Sequence, residues 1–261
     1  MFSLPEGQNL FFALLLVDYK GSFKYESLNI ELKTYTSIMG VTNVKILSIG
    51  HITRDVLQVW TGKPRGLDFK PGQAVDISIN KEGWENRKRS FTFTSLPDDD
   101  YLQFIIKTYP SHRKVTNELL YLKKNDELIL SEPFGTIEYR GEGYFIAGGA
   151  GITPFVSIIR DLHSRNAIGE NKIIFANKTR DDIILKYEFE HLLGENFINI
   201  LSDEVTDDYA HGFITEDFLR EHLTDFTRQF YLCGPYPMMK AVEQILAGFN
   251  VDENRIIKER F

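Results

Sequence analysis

Gly148-Gly149-Ala150-Gly151-Ile152-Thr153-Pro154 follows directly on the apolar run Tyr144-Phe145-Ile146-Ala147 and leads into the helical pattern Phe155–Ser164. An apolar strand that ends in glycines and a Thr-Pro pair is a strand, a tight turn and a helix start. Glycine lets backbone come close to another group, and proline suits the first helical turn. The outward N–H groups of such a helix start can hold a pyrophosphate. The spacing is not Gly-x-Gly-x-x-Gly, so the usual dinucleotide fingerprint is absent. A plain tight turn before a helix is the alternative reading.

Downstream of this turn the pattern repeats as strand then helix. Candidate strands are Lys172–Ala176, Phe197–Leu201, Gln229–Cys233 and Arg255–Lys258, with helical patterns at Lys186–Leu193, Glu216–Leu223 and Pro237–Ala247. That alternation predicts a doubly wound parallel sheet. Upstream the period is two: Val44–Ile49, Val56–Trp60, Val75–Ile79 and Leu102–Tyr109, separated by turn signals such as Lys63-Pro64-Arg65-Gly66 and Lys70-Pro71-Gly72. Short strands so spaced predict an antiparallel β-barrel. One helix, Thr116–Leu122 with Thr116 as N-cap, interrupts it. The predicted fold class is thus two-domain, β followed by α/β. Residues 39–140 form the barrel domain and 141–261 the α/β domain, with the boundary at Gly141-Glu142-Gly143.

Composition restricts the function. The 261 residues carry 43% hydrophobic and 26% charged side chains, enough for two modest cores, and the net charge of −7 gives nucleic-acid phosphates no basic face to meet. The single cysteine, Cys233, can form no internal disulfide and no cluster or structural zinc site, so no metal site is expected and a reducing cytoplasm is the simplest location. Leu10–Val17 is apolar but too short to span a bilayer, and Glu6 stands where a secretory signal carries Lys or Arg. Residues 1–38 are either an element that packs on the body or a stretch upstream of a true start at Met39.

Two further segments carry chemistry. Arg89-Ser90-Phe91-Thr92-Phe93-Thr94-Ser95 offers a cation, hydroxyls and aromatic rings along one strand. Arg89 can pair with a phosphate bidentately, Phe91 can stack on a flat cofactor, and the Thr92 hydroxyl can approach its reactive edge. An ordinary aromatic strand with a solvated Arg is the alternative. Tyr231-Leu232-Cys233-Gly234-Pro235-Tyr236-Pro237-Met238 ends a strand at the carboxyl edge of a parallel sheet, where ligands bind in such folds. Cys233 either packs on a nicotinamide ring there or is a buried structural thiol.

Taken in order, these segments resemble the ferredoxin–NADP reductase superfamily over about Val41–Phe261. Arg89–Ser95 is similar to the family's flavin strand, and Lys114-Val115-Thr116-Asn117 to its phosphate segment. Glu132-Pro133-Phe134-Gly135 looks like its Gly-Pro-Phe-Gly turn. Gly148–Pro154 and Cys233–Met238 look like its nucleotide-binding pair. The resemblance implies FAD in the barrel, NADPH or NADH in the second domain, and hydride passing from nicotinamide C4 to flavin N5. It assigns Arg89, Ser90, Phe91, Thr92, Lys114, Val115 and Thr116 to the flavin side of cofactor binding, and Lys107 to cofactor binding without a side. Gly148, Gly149, Gly151, Thr153, Gly234, Pro235 and Met238 fall on the nucleotide side. Thr92 and Cys233 would flank the transfer, with Glu259 and Phe261 of the terminal Glu-x-aromatic beside them.

There are departures from the family pattern. Phe91 replaces a Tyr, and His112-Arg113 stands where many relatives have glycine, which leaves FMN open beside FAD. Asn177-Lys178-Thr179-Arg180 occupies the segment that would meet the adenosine ribose, and Lys178 and Arg180 could hold a 2′-phosphate, which tilts the expectation slightly toward NADPH; a solvated charge run is the alternative. Arg87-Lys88, His112-Arg113-Lys114 and Lys123-Lys124 would suit an acidic acceptor, flavodoxin or ferredoxin, or are merely the wet face of the barrel. Small acceptors such as quinones, free flavin or ferric chelates, and a flavoprotein subunit without turnover of its own, are the other readings.

Overall fold

The computed structural model describes residues 40–109, 114–135 and 137–259. The expectations for residues 1–38, for a start at Met39, for His112-Arg113 and for Phe261 lie outside them. Two six-stranded sheets follow one another along the chain.

The first holds β1 (Thr42–Thr53), β2 (Val56–Gly62), β3 (Ala74–Ile79), β4 (Arg89–Thr92), β5 (Tyr101–Lys107) and β6 (Glu127–Leu130), in the order β4-β3-β6-β1-β2-β5. All its pairings are antiparallel. A bridge between Phe93 and Phe104 joins the chain just past β4 to β5 and brings the two edges together, as a barrel requires. Alternating inward residues fill it: Ile46, Val59, Val75, Ile77, Phe93, Phe104 and Leu128 are buried together.

Between β5 and β6 stands α1 (Val115–Glu118), a single turn. Its N-cap is Lys114, in extended backbone, and not Thr116 as the sequence predicts; Thr116 lies inside the turn and is buried. β6 has no counterpart among the strands expected from the sequence. Its four residues alternate over too short a length to stand out, and pairing with β1 and β3 on either side is what makes it a strand.

The second sheet is wholly parallel: β7 (Gly143–Gly148), β8 (Lys172–Asn177), β9 (Phe197–Leu201), β10 (Ala210–His211), β11 (Gln229–Cys233) and β12 (Ile256–Lys258), in the order β10-β9-β8-β7-β11-β12. Helices α2 (Thr153–Ser164) and α3 (Lys186–Leu193) cover one face, burying Phe155, Ile158 and Phe189 against Phe145, Phe175 and Tyr231. Helices α4 (Glu216–His222) and α5 (Tyr236–Gly248) cover the other, burying Phe218 and Val242 against Tyr144, Ile146 and Phe230. Alternate residues of β7 therefore face opposite cores, as the period of two demands.

The chain moves outward from β7 through β8, β9 and β10, then returns to lay β11 and β12 on the other side. The reversal falls between β7 and β11, the place where open α/β sheets bind ligands at their carboxyl edge. The sheets also touch one another. The Gly72 N–H donates to Ser157 Oγ at 3.0 Å, and Arg160 donates to the Thr94 carbonyl at 2.6 Å and to Gln103 Oε1 at 2.7 Å. Among the described residues no helix is long and apolar enough to cross a membrane.

Candidate active site

The carboxyl ends of β7 and β11 open into a cleft of about 900 Å³ whose opposite wall is the barrel. From the barrel come Arg89, Ser90, Phe91 and Thr92 of β4, Lys107 of β5 and Thr116 of α1. From the α/β sheet come Gly148, Gly149, Gly151 and Thr153 beyond β7, Lys178 beyond β8, Cys233, Gly234 and Pro235 beyond β11, and Glu259 beyond β12. Segments far apart in sequence thus share one cavity.

On the barrel wall, the Ser90 hydroxyl is held by Asp76 Oδ1 at 2.7 Å, while Arg89 is exposed with no ion pair among the described residues. A guanidinium left open in a cleft suits a phosphate. The Thr92 hydroxyl makes no hydrogen bond among the described residues although the residue is buried, and Phe91 beside it is half-buried. Lys107 pairs with Asp55 at 2.9 Å.

On the other wall the glycines divide into two kinds. A Cβ on Gly148 would stand 2.6 Å from Met238 Sδ, and one on Gly151 2.5 Å from the Cys233 carbonyl carbon. A Cβ on Gly234 would lie 3.0 Å from the Gly148 nitrogen. These three glycines let the turns after β7 and β11 lie against each other, so the group that approaches them is the protein itself. Met238 sits beneath them and does not line the cleft. Gly149 is different: its φ is +51° and nothing stands within 4 Å of where its Cβ would be. Its conformation needs glycine and its open side faces room for a ligand. Thr153 closes the turn by donating to the Ala150 carbonyl at 3.0 Å.

Cys233 and Glu259 meet at the cleft floor, with the thiol donating to Glu259 Oε2 at 3.4 Å. Burial, and then the neighbouring carboxylate, push the thiol's pKa up, so the sulfur stays protonated and is no nucleophile. Burial also raises the pKa of Glu259, against the smaller opposing effect of the Cys233 hydrogen bond. A carboxyl raised on folding resists ionisation in the folded state, so its penalty is absent in acid, grows as pH rises from the unfolded toward the folded pKa and is complete above it. Glu259→Gln is therefore expected to match the wild type in melting temperature at acid pH and to exceed it at neutral and alkaline pH. Parallel melting curves over that range would show no such divergence if Glu259 is not destabilised by burial.

The remaining predicted site residues lie apart from the cavity. Val115 is buried in the barrel core, and Lys114 is exposed at the start of α1. Arg180 does not line the cleft: its backbone N–H and its Nε both donate to Glu204 at 2.7 Å, and Asp208 lies 3.9 Å from its Nη1. The sequence reading missed Arg54, Asp55 and Asp182, which also line the cleft, as does Asn177, the first residue of the segment expected to meet the adenosine ribose. Both side-chain amide atoms of Asn177 are buried with no partner among the described residues. An orphaned amide, an open guanidinium and an open glycine turn are what a cleft built for phosphate-bearing ligands presents, so the residues fit FAD and a nicotinamide dinucleotide.

Residues 41–146 match the profile of the FAD-binding domain, and residues 145–244 that of the oxidoreductase NAD-binding domain. The chain is 31% identical over 212 residues to NADH-cytochrome b5 reductase 1 of Eremothecium gossypii, an alignment that covers 74% of this chain and 73% of that one. The chain belongs to the ferredoxin–NADP reductase superfamily. Its family is that of FAD-dependent NAD(P)H oxidoreductases.

The glycine betaine monooxygenase reductase subunit of Chromohalobacter salexigens is 29% identical over 245 residues, 87% of this chain and 66% of that protein. A flavohemoprotein of Halalkalibacterium halodurans is matched over 52% of its length. The chain thus spans between half and two thirds of these two relatives. The same fold is seen in a ferredoxin NADP+ reductase from Neisseria gonorrhoeae with bound FAD and NADP, at a TM-score of 0.74 and 18% identity, covering 84% of this chain and 98% of that one.

Proposed function

We propose that this chain oxidises NADH in the cleft and delivers the electrons, by way of FAD, to a separate electron-carrier protein, a flavodoxin or a ferredoxin. The observation that carries this reading is the meeting, in one cavity, of Arg89, Phe91 and Thr92 with the open Gly149 turn and Cys233. FAD, when bound, supplies an acceptor that takes two electrons together and releases them singly.

The chain's own part is positioning. Arg89 and Thr116 hold one ligand against the barrel, and the N–H groups around Gly149 hold the other against the sheet. The protonated Cys233 thiol, fixed by Glu259, sets how close the second ligand comes to the first. Thr92 offers its hydroxyl at the same place, and the two packed walls exclude water. We place the division between the two domains at Gly141-Glu142-Gly143, where the Tyr231 hydroxyl donates to the Gly141 carbonyl at 2.7 Å and accepts from the Arg140 N–H at 2.8 Å. The free Cys233 agrees with a reducing cytoplasm.

The relatives add a second reading of the acceptor. Two of them are named as a cytochrome b5 reductase and as the reductase subunit of a monooxygenase, so a cytochrome or an oxygenase is the alternative partner. With one cysteine in 261 residues, onward transfer from FAD cannot pass through a four-thiolate cluster within this stretch. Arg87, Lys88, Lys114, Lys123 and Lys124 are exposed cations of the kind an acidic carrier would meet.

Charge favours NADH over NADPH. A 2′-phosphate needs cations, yet Arg180 is held by Glu204 and faces Asp208. Glu204 is kept ionised because the Arg180 backbone N–H, and then its side chain, hold the carboxyl below the usual carboxylate range. Lys178 alone is left without an ion pair there, among the described residues. One charge-assisted bond is worth about 1.5–3 kcal/mol, roughly tenfold or more in affinity. We therefore expect kcat/KM for NADH to exceed that for NADPH at least about tenfold. Glu204→Gln, which frees Arg180, should raise the NADPH value selectively. A wild type that prefers NADPH, or a variant that raises both values alike, would refute the assignment.

A further inference from the structure

The hairpin between β1 and β2 carries Arg54 and Asp55 at its tip, and both line the cleft although they belong to the flavin-side sheet. Arg54 reaches across to Asp182, beyond β8, with Nη2 3.0 Å from Oδ1 and 3.4 Å from Oδ2. This pairing is lopsided. Asp182 is only 7% exposed and has other work: its Oδ2 accepts from the Thr179 N–H at 3.1 Å and from the Thr179 hydroxyl at 2.9 Å, which shapes the turn after β8. Arg54 is 65% exposed and uses only Nη2, so its other N–H donors are uncommitted among the described residues.

Three residues before that turn stands Asn177, 8% exposed, in the wall of the same cleft, with amide nitrogen and oxygen both lacking a partner among the described residues. A buried amide left without partners is costly, and its commonest remedy is a ligand or a held water. One side chain thus presents a donor and an acceptor, and next to the Asp182 turn a guanidinium presents several spare donors. Ribose hydroxyls require the first and pyrophosphate oxygens the second.

We propose that Arg54 and Asn177 form a subsite for the pyrophosphate–ribose section of the dinucleotide, so that the flavin-side sheet and the nucleotide-side sheet grip the same substrate. This rests on the reading of the cleft as a nicotinamide dinucleotide site and adds to it a contribution from the barrel. Cations are needed there. Asp55, Asp182 and Glu259 all line the cleft, and Lys107 is already paired with Asp55, so on this side a dianionic ligand meets carboxylates that Lys178 and the spare N–H groups of Arg54 must offset. Arg54 can keep Nη2 on the buried Asp182 carboxylate while its spare N–H groups meet the ligand, so the carboxylate is not left without its cation. Binding then draws the hairpin and the turn after β8 onto one ligand.

The test is calorimetric titration of the FAD-loaded protein with ADP-ribose, which has the pyrophosphate and both riboses but no nicotinamide. Arg54→Gln is expected to weaken binding about tenfold or more, Arg54→Lys to recover a substantial part of the loss, and Asn177→Ala to weaken it severalfold. FAD content should remain that of the wild type in all three. ADP-ribose affinities within twofold of wild type in Arg54→Gln and Asn177→Ala would overturn the subsite, as would loss of FAD from Arg54→Gln, which would assign Arg54 to the flavin. Arg54→Lys no better than Arg54→Gln would overturn the role of charge, and it also serves if the neutral variant fails to fold. A wild-type protein that binds no ADP-ribose would overturn the nucleotide reading of the cleft itself, and this subsite with it.

Discussion

Gly151→Ala is expected to yield protein that does not fold stably, while Gly149→Ala, two residues away, folds and loses grip on the dinucleotide. At Gly151 the new methyl would stand 2.5 Å from the Cys233 carbonyl carbon and 2.7 Å from the Gly234 Cα, so backbone, which cannot step aside, is in its way. Relief requires parting the turns after β7 and β11, which lie against each other at the centre of the parallel sheet. Overpacking a core costs about 1–3 kcal/mol where side chains can move and more where only backbone can.

At Gly149 the surroundings are open, and the cost is that of placing an L-residue at a φ of +51°, about 1–2 kcal/mol. A domain stable by about 5–15 kcal/mol absorbs that. The methyl then occupies the side from which a phosphate would approach. Soluble yield and thermal unfolding followed by circular dichroism separate the two variants. A Gly151→Ala protein that melts within a few degrees of the wild type would show that the two turns are not packed as described.

The second large effect concerns Cys233. Its thiol is buried at the end of β11, in the cleft, and donates to Glu259. Cys233→Ser keeps a donor but shortens and hydrates the group that the nicotinamide would rest on. A displacement of about one ångström at a reacting centre costs on the order of a hundredfold in rate. Stopped-flow reduction of the FAD-loaded variant by saturating NADH should be slower by roughly that factor. Bound FAD should not change, because the residues proposed to hold it, Arg89 and Thr116, lie on the barrel wall. A variant that is reduced at the wild-type rate would show that Cys233 only fills space.

The fold was legible where local chemistry and long-range structure agree. Tyr144–Ala147 followed by glycines, Thr and Pro states a strand, turn and helix with no help from the rest of the chain, and β7 and α2 are found there. β6 and β10 are different, since four and two residues carry too little periodicity, and their pairing partners make them strands. The same division runs through the site. Arg89, Thr92 and Cys233 are recognisable within their own segments, whereas Arg54 and Asp182 are separated by 128 positions and acquire meaning only when the two sheets face each other. Gly148, Gly151 and Gly234 show a subtler failure. Sequence marks a glycine as a place of close approach but not what approaches, and here it is mostly the neighbouring turn. Arg180 was read as a cation for a ligand, and Glu204, 24 positions on, is what it holds.

Whether one cleft brings a dinucleotide to a flavin is read from the absorption spectrum of the loaded chain. The purified chain, incubated with FAD and freed of excess, is placed under anaerobic conditions and its visible absorption is followed as NADH is added. FAD is expected to be retained in stoichiometric amount and its absorption to bleach on addition of NADH. A protein that retains no flavin, or whose bound flavin is left unreduced by both NADH and NADPH, would contradict that reading of the cleft.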